Sequence, residues 1–249
     1  RAAERRLVEQ RRELERSNAA LEEFASIASH DLQEPLRKIL AFGERLEMAA
    51  GPVLQGEALS YLGRMLGAAS RMRTLITDLL TYSQVATRNQ PFVPTDLTST
   101  AQEVVADLET AIADAAGRVE IGALPLIDAD PPQMRQLLQN LVGNALKYRQ
   151  ANRAPVVRIS SSNPDAAHCA IAVADNGIGF NPEYTERIFK MFERLHGRAH
   201  YEGSGIGLAI CRRIAERHGG TITATGSPGQ GATFTVTLPL SQAAGGPLA

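Results

Sequence analysis

Residues 29–36 read Ser-His-Asp-Leu-Gln-Glu-Pro-Leu, which sets one histidine among carboxylates. An exposed imidazole in that setting is a nucleophile whose proton a neighbour can manage. Asp31 follows His30 directly, and Glu34 lies one turn on, at i+4. A lone histidine of this kind is more often a plain surface residue, but three groups further along the chain reverse those odds. The first is Asn140, Asn144 and Lys147, within about 60° of one another on one helix edge. Asparagine is a poor interior helix former. Its amide oxygens ligate Mg²⁺ and an ammonium one turn on meets phosphate, unless both amides are simply solvated. The second is Asp175-Asn176-Gly177-Ile178-Gly179-Phe180, after the apolar run Ile171-Ala172-Val173. A carboxylate at a strand end accepts a hydrogen bond from an exocyclic amine, and Gly-x-Gly lets backbone approach a ligand, although Asp-Asn-Gly is also a common turn. The third is Gly203-Ser204-Gly205-Ile206-Gly207-Leu208, opening a helix whose free N–H groups suit phosphate. It is not the dinucleotide fingerprint, because no parallel-strand unit precedes it. Between the glycine loops, Phe189 and Phe192 either pin a segment to the core or staple a surface loop, and Arg194 is placed to reach terminal phosphates.

The elements that must position these groups divide the chain in two. In residues 1–23, Leu7, Leu14 and Leu21 recur by sevens with polar Arg11 and Asn18 between them, a thin coiled-coil seam or a solvated helix. The pattern runs on into a helix whose buried stripe is Leu21, Phe24, Ala28, Leu32, Ile39, Phe42 and Leu46, with His30 on the far side and a bend expected at Pro35. After Gly51-Pro52 a second helix carries Leu62, Met65, Ala69, Met72, Ile76, Leu79 and Ser83. A dimer making a four-helix bundle buries both stripes; a monomeric hairpin packed on the rest of the chain is the alternative. A break at residues 87–91 leads into α/β texture. Helices are expected from Leu97 to about Ala116, from the Asp128–Pro132 cap to about Gln150, and over Ser204–His218. Strands are expected at Val119–Ile121, Val156–Ser161, Cys169–Ala174, Thr221–Thr225 and Ala232–Leu238. Residues 241–249 read as a disordered tail. The 249 residues are 44% hydrophobic, enough for a real core, and a net charge of −1 gives no drive toward nucleic acid or an anionic membrane. No run is apolar enough to span a bilayer, and no direct membrane contact is expected. Cys169 and Cys211 match no metal or redox spacing and read as core thiols in a cytoplasmic setting. The chain opens at Arg1 in mid-pattern, as the output part of a longer protein would.

In their order along the chain, His30-Asp31 with Pro35, Asn140-x-x-x-Asn144 with Lys147-Tyr148, Asp175-x-Gly177-x-Gly179, Phe189-x-x-Phe192 and Gly203-x-Gly205-x-Gly207 resemble the sensor histidine kinases of two-component signalling. The wording around His30 is most similar to kinases behind phytochrome or PAS-type sensors. The resemblance implies a multidomain α and α+β protein, with a helical hairpin that dimerises into a four-helix bundle, followed by an α/β two-layer sandwich of the GHKL ATPase type. It implies a signalling coiled coil over 1–23, a dimerisation and phosphotransfer domain over 24–88, a hinge over 89–94 and an ATP-binding domain over 95–240. His30 would be phosphorylated and Asp31 would take its proton or orient its ring. Asp175 would read adenine, Asn144 with Asn140 would hold Mg²⁺, and Lys147 and Arg194 would meet phosphates. Tyr148, Gly177, Ile178, Gly179, Phe192 and the run Gly203, Ser204, Gly205, Ile206, Gly207 and Leu208 would complete the ATP site, under a lid over 181–203. The implied partners are a second copy, a response regulator receiver domain and an upstream sensor domain. Glu34 stands where many such kinases carry Thr or Asn to position water, which puts phosphatase activity in question. A GHKL protein acting as an ATPase or serine kinase, and a non-catalytic dimeric module, are the other readings.

Overall fold

The computed structural model describes residues 32–50, 56–87, 90–195 and 203–241. Two compact units divide the chain between Thr87 and Arg88. The expected coiled coil over 1–23, His30 and Asp31 lie outside the described residues.

The first unit is a helical hairpin. Helix α1 covers 32–50 and α2 covers Glu57–Thr87. Pro35 is accommodated within the helical backbone of α1. The two helices meet through Leu36, Leu40, Ala69 and Ile76, with Leu66 and Leu80 packed against them. A Cβ on Gly43 would overlap the Leu66 side chain, so glycine lets the helices approach there. The hairpin of one chain thus does not by itself bury the α1 stripe that the sequence assigned to a dimeric bundle. Leu32, Ile39, Phe42 and Leu46 are exposed in the single chain, and the neighbouring positions Leu36 and Leu40 are buried. In α2, likewise, Leu62, Ala69 and Ile76 are buried whereas Met65 and Met72 are exposed. The reason is geometric. The apolar residues of α1 span an arc of roughly 160°, and a single partner helix covers only one side of it.

The second unit is a two-layer α/β sandwich. A mixed five-stranded sheet has the order β2-β4-β5-β7-β6: β2 (Arg118–Ile121), β4 (Val156–Ser162), β5 (His168–Asp175), β6 (Thr221–Ser227) and β7 (Gly231–Pro239). Only β2 and β4 run parallel; the other pairs are antiparallel. Alternate residues such as Cys169, Ile171 and Val173 are buried, as a sheet covered on one face requires. The covering layer is α3 (Leu97–Asp107), α5 (Pro131–Lys147) and α6 (Gly207–Arg217), with Leu137, Leu138, Leu141, Ile210 and Ile214 in the interior. Cys211 of α6 packs on the Leu137 carbonyl of α5, and burial pushes its thiol up to about 12.

Several boundaries differ from expectation. The helix expected over 97–116 breaks at Leu108, so α4 is a separate short helix, Glu109–Asp114. Helix α5 stops at Lys147, three residues early, and α6 begins at Gly207 rather than Ser204. A small antiparallel sheet of β1 (Val93–Asp96) and β3 (Leu126–Ala129) was not foreseen. Val93 and Pro94, assigned to the hinge, are therefore strand residues. Short length and a proline hid β1, and proline is tolerated there because the sheet has only edges. Ser241, expected in the tail, donates to Asp128; 242–249 lie outside the described residues.

The ends of α5 and α6 meet in a polar knot. Asp130 caps α5 by accepting from the Gln133 N–H, and its other oxygen takes the Arg217 guanidinium at 2.7 Å. His218 is wholly buried: its Nδ1 donates to the Ile214 carbonyl, and its Nε2 accepts from the Asp130 N–H at 3.1 Å. That pattern requires the neutral ring, and burial lowers the His218 pKa from its usual value near 6.5. Phe92 lies on the ring at 4.6 Å, and Arg217 also donates to the Gln90 carbonyl. With the folded pKa below the unfolded one, the contribution is complete above about pH 6.5 and is lost as pH falls. The urea midpoint of this unit should therefore drop between pH 7.5 and 5.5, and His218→Gln should flatten that drop while lowering stability at pH 7.5 by about 1–2 kcal/mol.

Candidate functional site

Three of the sequence groups converge on one cleft in the second unit. An open volume of ≈ 640 Å³ is lined by Asn144 and Tyr148 from the end of α5, Asp175, Ile178, Gly179 and Phe180 from the loop after β5, and Glu193 and Arg194. Ile188, Leu195, Leu208, Ala232 and Phe234 supply apolar wall. A mostly apolar concavity with a few convergent polar groups is the usual form of a small-molecule site.

Asp175 is the charged floor of the cleft. Its Oδ1 accepts from the N–H of Gly177 at 2.8 Å and of Ala232 at 3.2 Å. Oδ2 has no hydrogen-bond partner among the described residues, so an acceptor remains for a ligand. Burial raises the Asp175 pKa above the ordinary carboxylate value, and the two backbone donors pull it back down. The loop is glycine-dependent. A Cβ at Gly177 would strike the Tyr148 carbonyl, and Gly179 has φ +61 with the Ser227 carbonyl where a Cβ would be. Asn176 is structural: its Oδ1 accepts from the Val156 N–H at 2.8 Å and its amide donates to Ala154.

The second glycine loop gathers the cations. Arg194 donates to the Gly203 carbonyl at 2.9 Å, and a Cβ on Gly203 would overlap the Lys147 ammonium. Lys147 also lies over the Tyr148 ring at 4.6 Å. Ser204 Oγ accepts from the Ile206 N–H, and α6 starts after Ile206 with no side-chain cap, leaving first-turn N–H groups for an anion. Asn140 is tied to this loop, accepting from Gln136 and donating to the Gly207 carbonyl, each at 3.3 Å. Among the described residues no group of three or more His, Cys, Asp or Glu can hold a metal. A cation here would rest on amide oxygen and phosphate, which suits Mg²⁺ better than a transition metal.

Other expected residues fall elsewhere. Ile206 is fully buried, so only its backbone is on offer. The two phenylalanines do not act alike. Phe189 is buried edge-on to Phe234 at 6.5 Å with Arg212 over its ring, whereas Phe192 is 58% exposed. Phe192 also has φ 62, a left-handed conformation that costs a bulky residue roughly 1–2 kcal/mol, and its N–H is held by the Gly205 carbonyl. Of the expected lid, 196–202 lie outside the described residues, and Glu186 is paired to Arg212 on α6 at 3.0 Å. Glu34 makes an exposed ion pair with Lys38 at 2.7 Å. Among the described residues no helix is long and apolar enough to cross a membrane. Gln150 was not singled out from sequence, yet it bonds the loop after β5; its partners are carbonyls, which no sequence pattern reveals.

Two family models match this chain. The family described as His Kinase A (phospho-acceptor) domain matches residues 20–88, and that described as Histidine kinase-, DNA gyrase B-, and HSP90-like ATPase matches 129–242. Phytochrome-like protein Cph1 of Synechocystis sp. is 40% identical over 229 residues, covering 92% of this chain and 30% of the relative. Aerobic respiration control sensor protein ArcB of Escherichia coli is 32% identical over 238 residues, covering 90% of this chain and 29% of the relative. The chain thus spans about 30% of the length of the curated relatives it matches. Among solved structures, full-length ShkA in complex with AMPPNP is similar with TM-score 0.68 and 28% identity, over 90% of this chain and 47% of that one.

Two glycines with positive φ separate backbone strain from collision. Gly229 has φ +75 in open space, whereas Gly179 faces a carbonyl. Gly229→Ala should cost about 1–2 kcal/mol in chemical denaturation. Gly179→Ala should cost clearly more; equal costs would show that the close approach to Ser227 is unimportant.

Proposed function

Because the chain belongs to the sensor histidine kinases and holds both domains of their catalytic core, we propose that it phosphorylates His30 from ATP and passes the group to a response regulator. The observation that carries this reading is the single cleft on which Asn144, Asp175 and Arg194 converge from three separate motifs. Asp175 Oδ2 accepts from the exocyclic amine of adenine, against the apolar wall of Ile178 and Phe234. Lys147, Arg194 and the N–H groups around Gly203–Gly207 take the phosphates. Asn144, with Asn140, would hold Mg²⁺, which screens phosphate charge when bound. Asn144 leads, because it lines the cleft while the Asn140 oxygen is engaged by Gln136.

In the transfer, one imidazole nitrogen of His30 attacks the γ-phosphorus. A P–N bond forms, the P–O bond to the β-phosphate breaks and ADP leaves. The proton on the other ring nitrogen passes to Asp31 or is held by it. An aspartate of a receiver domain then takes the phosphoryl group, and the imidazole is restored. The exposed side of the hairpin, with Phe42, Leu46, Met65 and Met72, supports pairing with a second copy into a four-helix bundle. An upstream sensor domain would act through the residues before His30, and the setting is cytoplasmic.

With γ-labelled ATP and Mg²⁺, the label should be acid-labile and base-stable and should vanish in His30→Ala, which still binds ATP. Acid-stable label, or labelling of His30→Ala, overturns the assignment. Asp175→Asn keeps an oxygen for Gly177 and Ala232 but exchanges the free acceptor for a donor, so ATP affinity should fall by about tenfold or more without unfolding. Unchanged calorimetric affinity would remove Asp175 from the base site.

A further inference from the structure

We infer that Gln150 is a positioning residue for base selection: its amide clamps together the two backbone segments that hold Asp175. The inference rests on Asp175 reading the base. Gln150 lies two residues past Tyr148, where α5 ends. Its Nε2 is within hydrogen-bond distance of three carbonyls, Asn176 at 3.0 Å, Gly177 at 2.9 Å and Gly229 at 3.0 Å. The first two belong to the loop after β5. The third belongs to the turn between β6 and β7.

Those segments supply the donors that fix Asp175. Gly177 donates its N–H to Asp175 Oδ1, and the β6–β7 turn leads directly into Ala232, which donates to the same oxygen. The segments are also joined to each other, by the Gly229 N–H to the Ile178 carbonyl at 2.7 Å, and to α5, by the Ile178 N–H to the Tyr148 carbonyl at 2.9 Å. Gln150 therefore closes a ring from α5 through the Gly177 loop and the turn and back. Asn144, one turn before Tyr148 on α5, lines the same cleft as Asp175, so the ring also sets the spacing between those two side chains.

Chemistry selects glutamine here. Three carbonyl oxygens need a donor, and an amide offers two N–H groups, one of them shared. The amide orientation follows, since the reversed group would set oxygen against three oxygens. Glutamate has nearly the same shape and no donor when ionised. Methionine keeps the length and apolar stem without either polar atom.

The test measures binding rather than phosphorylation, so it does not depend on His30. Affinities for ATP and ITP, which carries a carbonyl in place of the exocyclic amine, are determined by calorimetry for the whole chain and for Gln150→Glu and Gln150→Met. The unaltered chain should prefer ATP. Both variants should lose most of that preference, by about tenfold, mainly through weaker ATP binding. Equal weakening of both nucleotides, or an unchanged ratio, overturns the positioning role and leaves Asp175 as the base reader. An unaltered chain that binds ATP and ITP equally overturns the Asp175 reading and this inference with it.

Discussion

One carboxylate oxygen, accepting two backbone N–H groups inside a half-enclosed cleft, is the constraint on which the nucleotide unit turns. Burial makes a charge on Asp175 unfavourable, and the N–H groups of Gly177 and Ala232 offset that penalty. The two donors come from segments 55 positions apart in sequence, so the sheet must register β5 against β7 before the carboxylate is held. That register pairs Ala174 with Thr233 and Val173 with Phe234. The close approach of the Gly231 backbone to the Asp175 carbonyl belongs to the same junction. The carboxylate proposed to read the base is thus also a product of the sheet, and the glycines around it are fixed by collision more than by flexibility.

The hairpin unit obeys a different rule. Its helices carry more apolar surface than one antiparallel partner can cover, and the single chain buries the side lined by Leu36, Leu40, Ala69 and Ile76. A two-layer sandwich satisfies its sheet with its own helices, but a two-helix hairpin does not satisfy itself. The proposed pairing with a second copy rests on the first unit, and the proposed nucleotide site on the second.

Much of this was legible before any coordinates. Strands β4 to β7 announced themselves by apolar alternation, and α5 by an aspartate followed by two prolines. Asn144, the loop after β5 and Leu208, singled out from three separate motifs, do line one cleft. What sequence concealed has particular causes. Strands β1 and β3 are four residues each and make a sheet only with one another. The break at Leu108 carries no glycine or proline. The choice between Leu36 and Ile39 as the buried residue depends on which side of a continuous apolar arc a partner meets, and periodicity alone does not decide it. Gln150 and His218 act on main-chain atoms, which every residue has. Phe189 and Phe192 look alike in sequence, but a left-handed backbone at Phe192 turns the second ring out to solvent.

The packing of α6 on α5 has a further consequence, for redox chemistry. Cys211 is fully buried between these helices and its thiol is pushed up to about 12, while Cys169 is wholly enclosed in β5 and raised by the same desolvation. These are the only two cysteines in the sequence. Neither presents a thiolate to oxidants or electrophiles at neutral pH. The folded chain is consequently blind to the thiol redox state of its surroundings, and a fluorophore or spin label attached at a single introduced surface cysteine reports from that position alone, without removal of either native thiol.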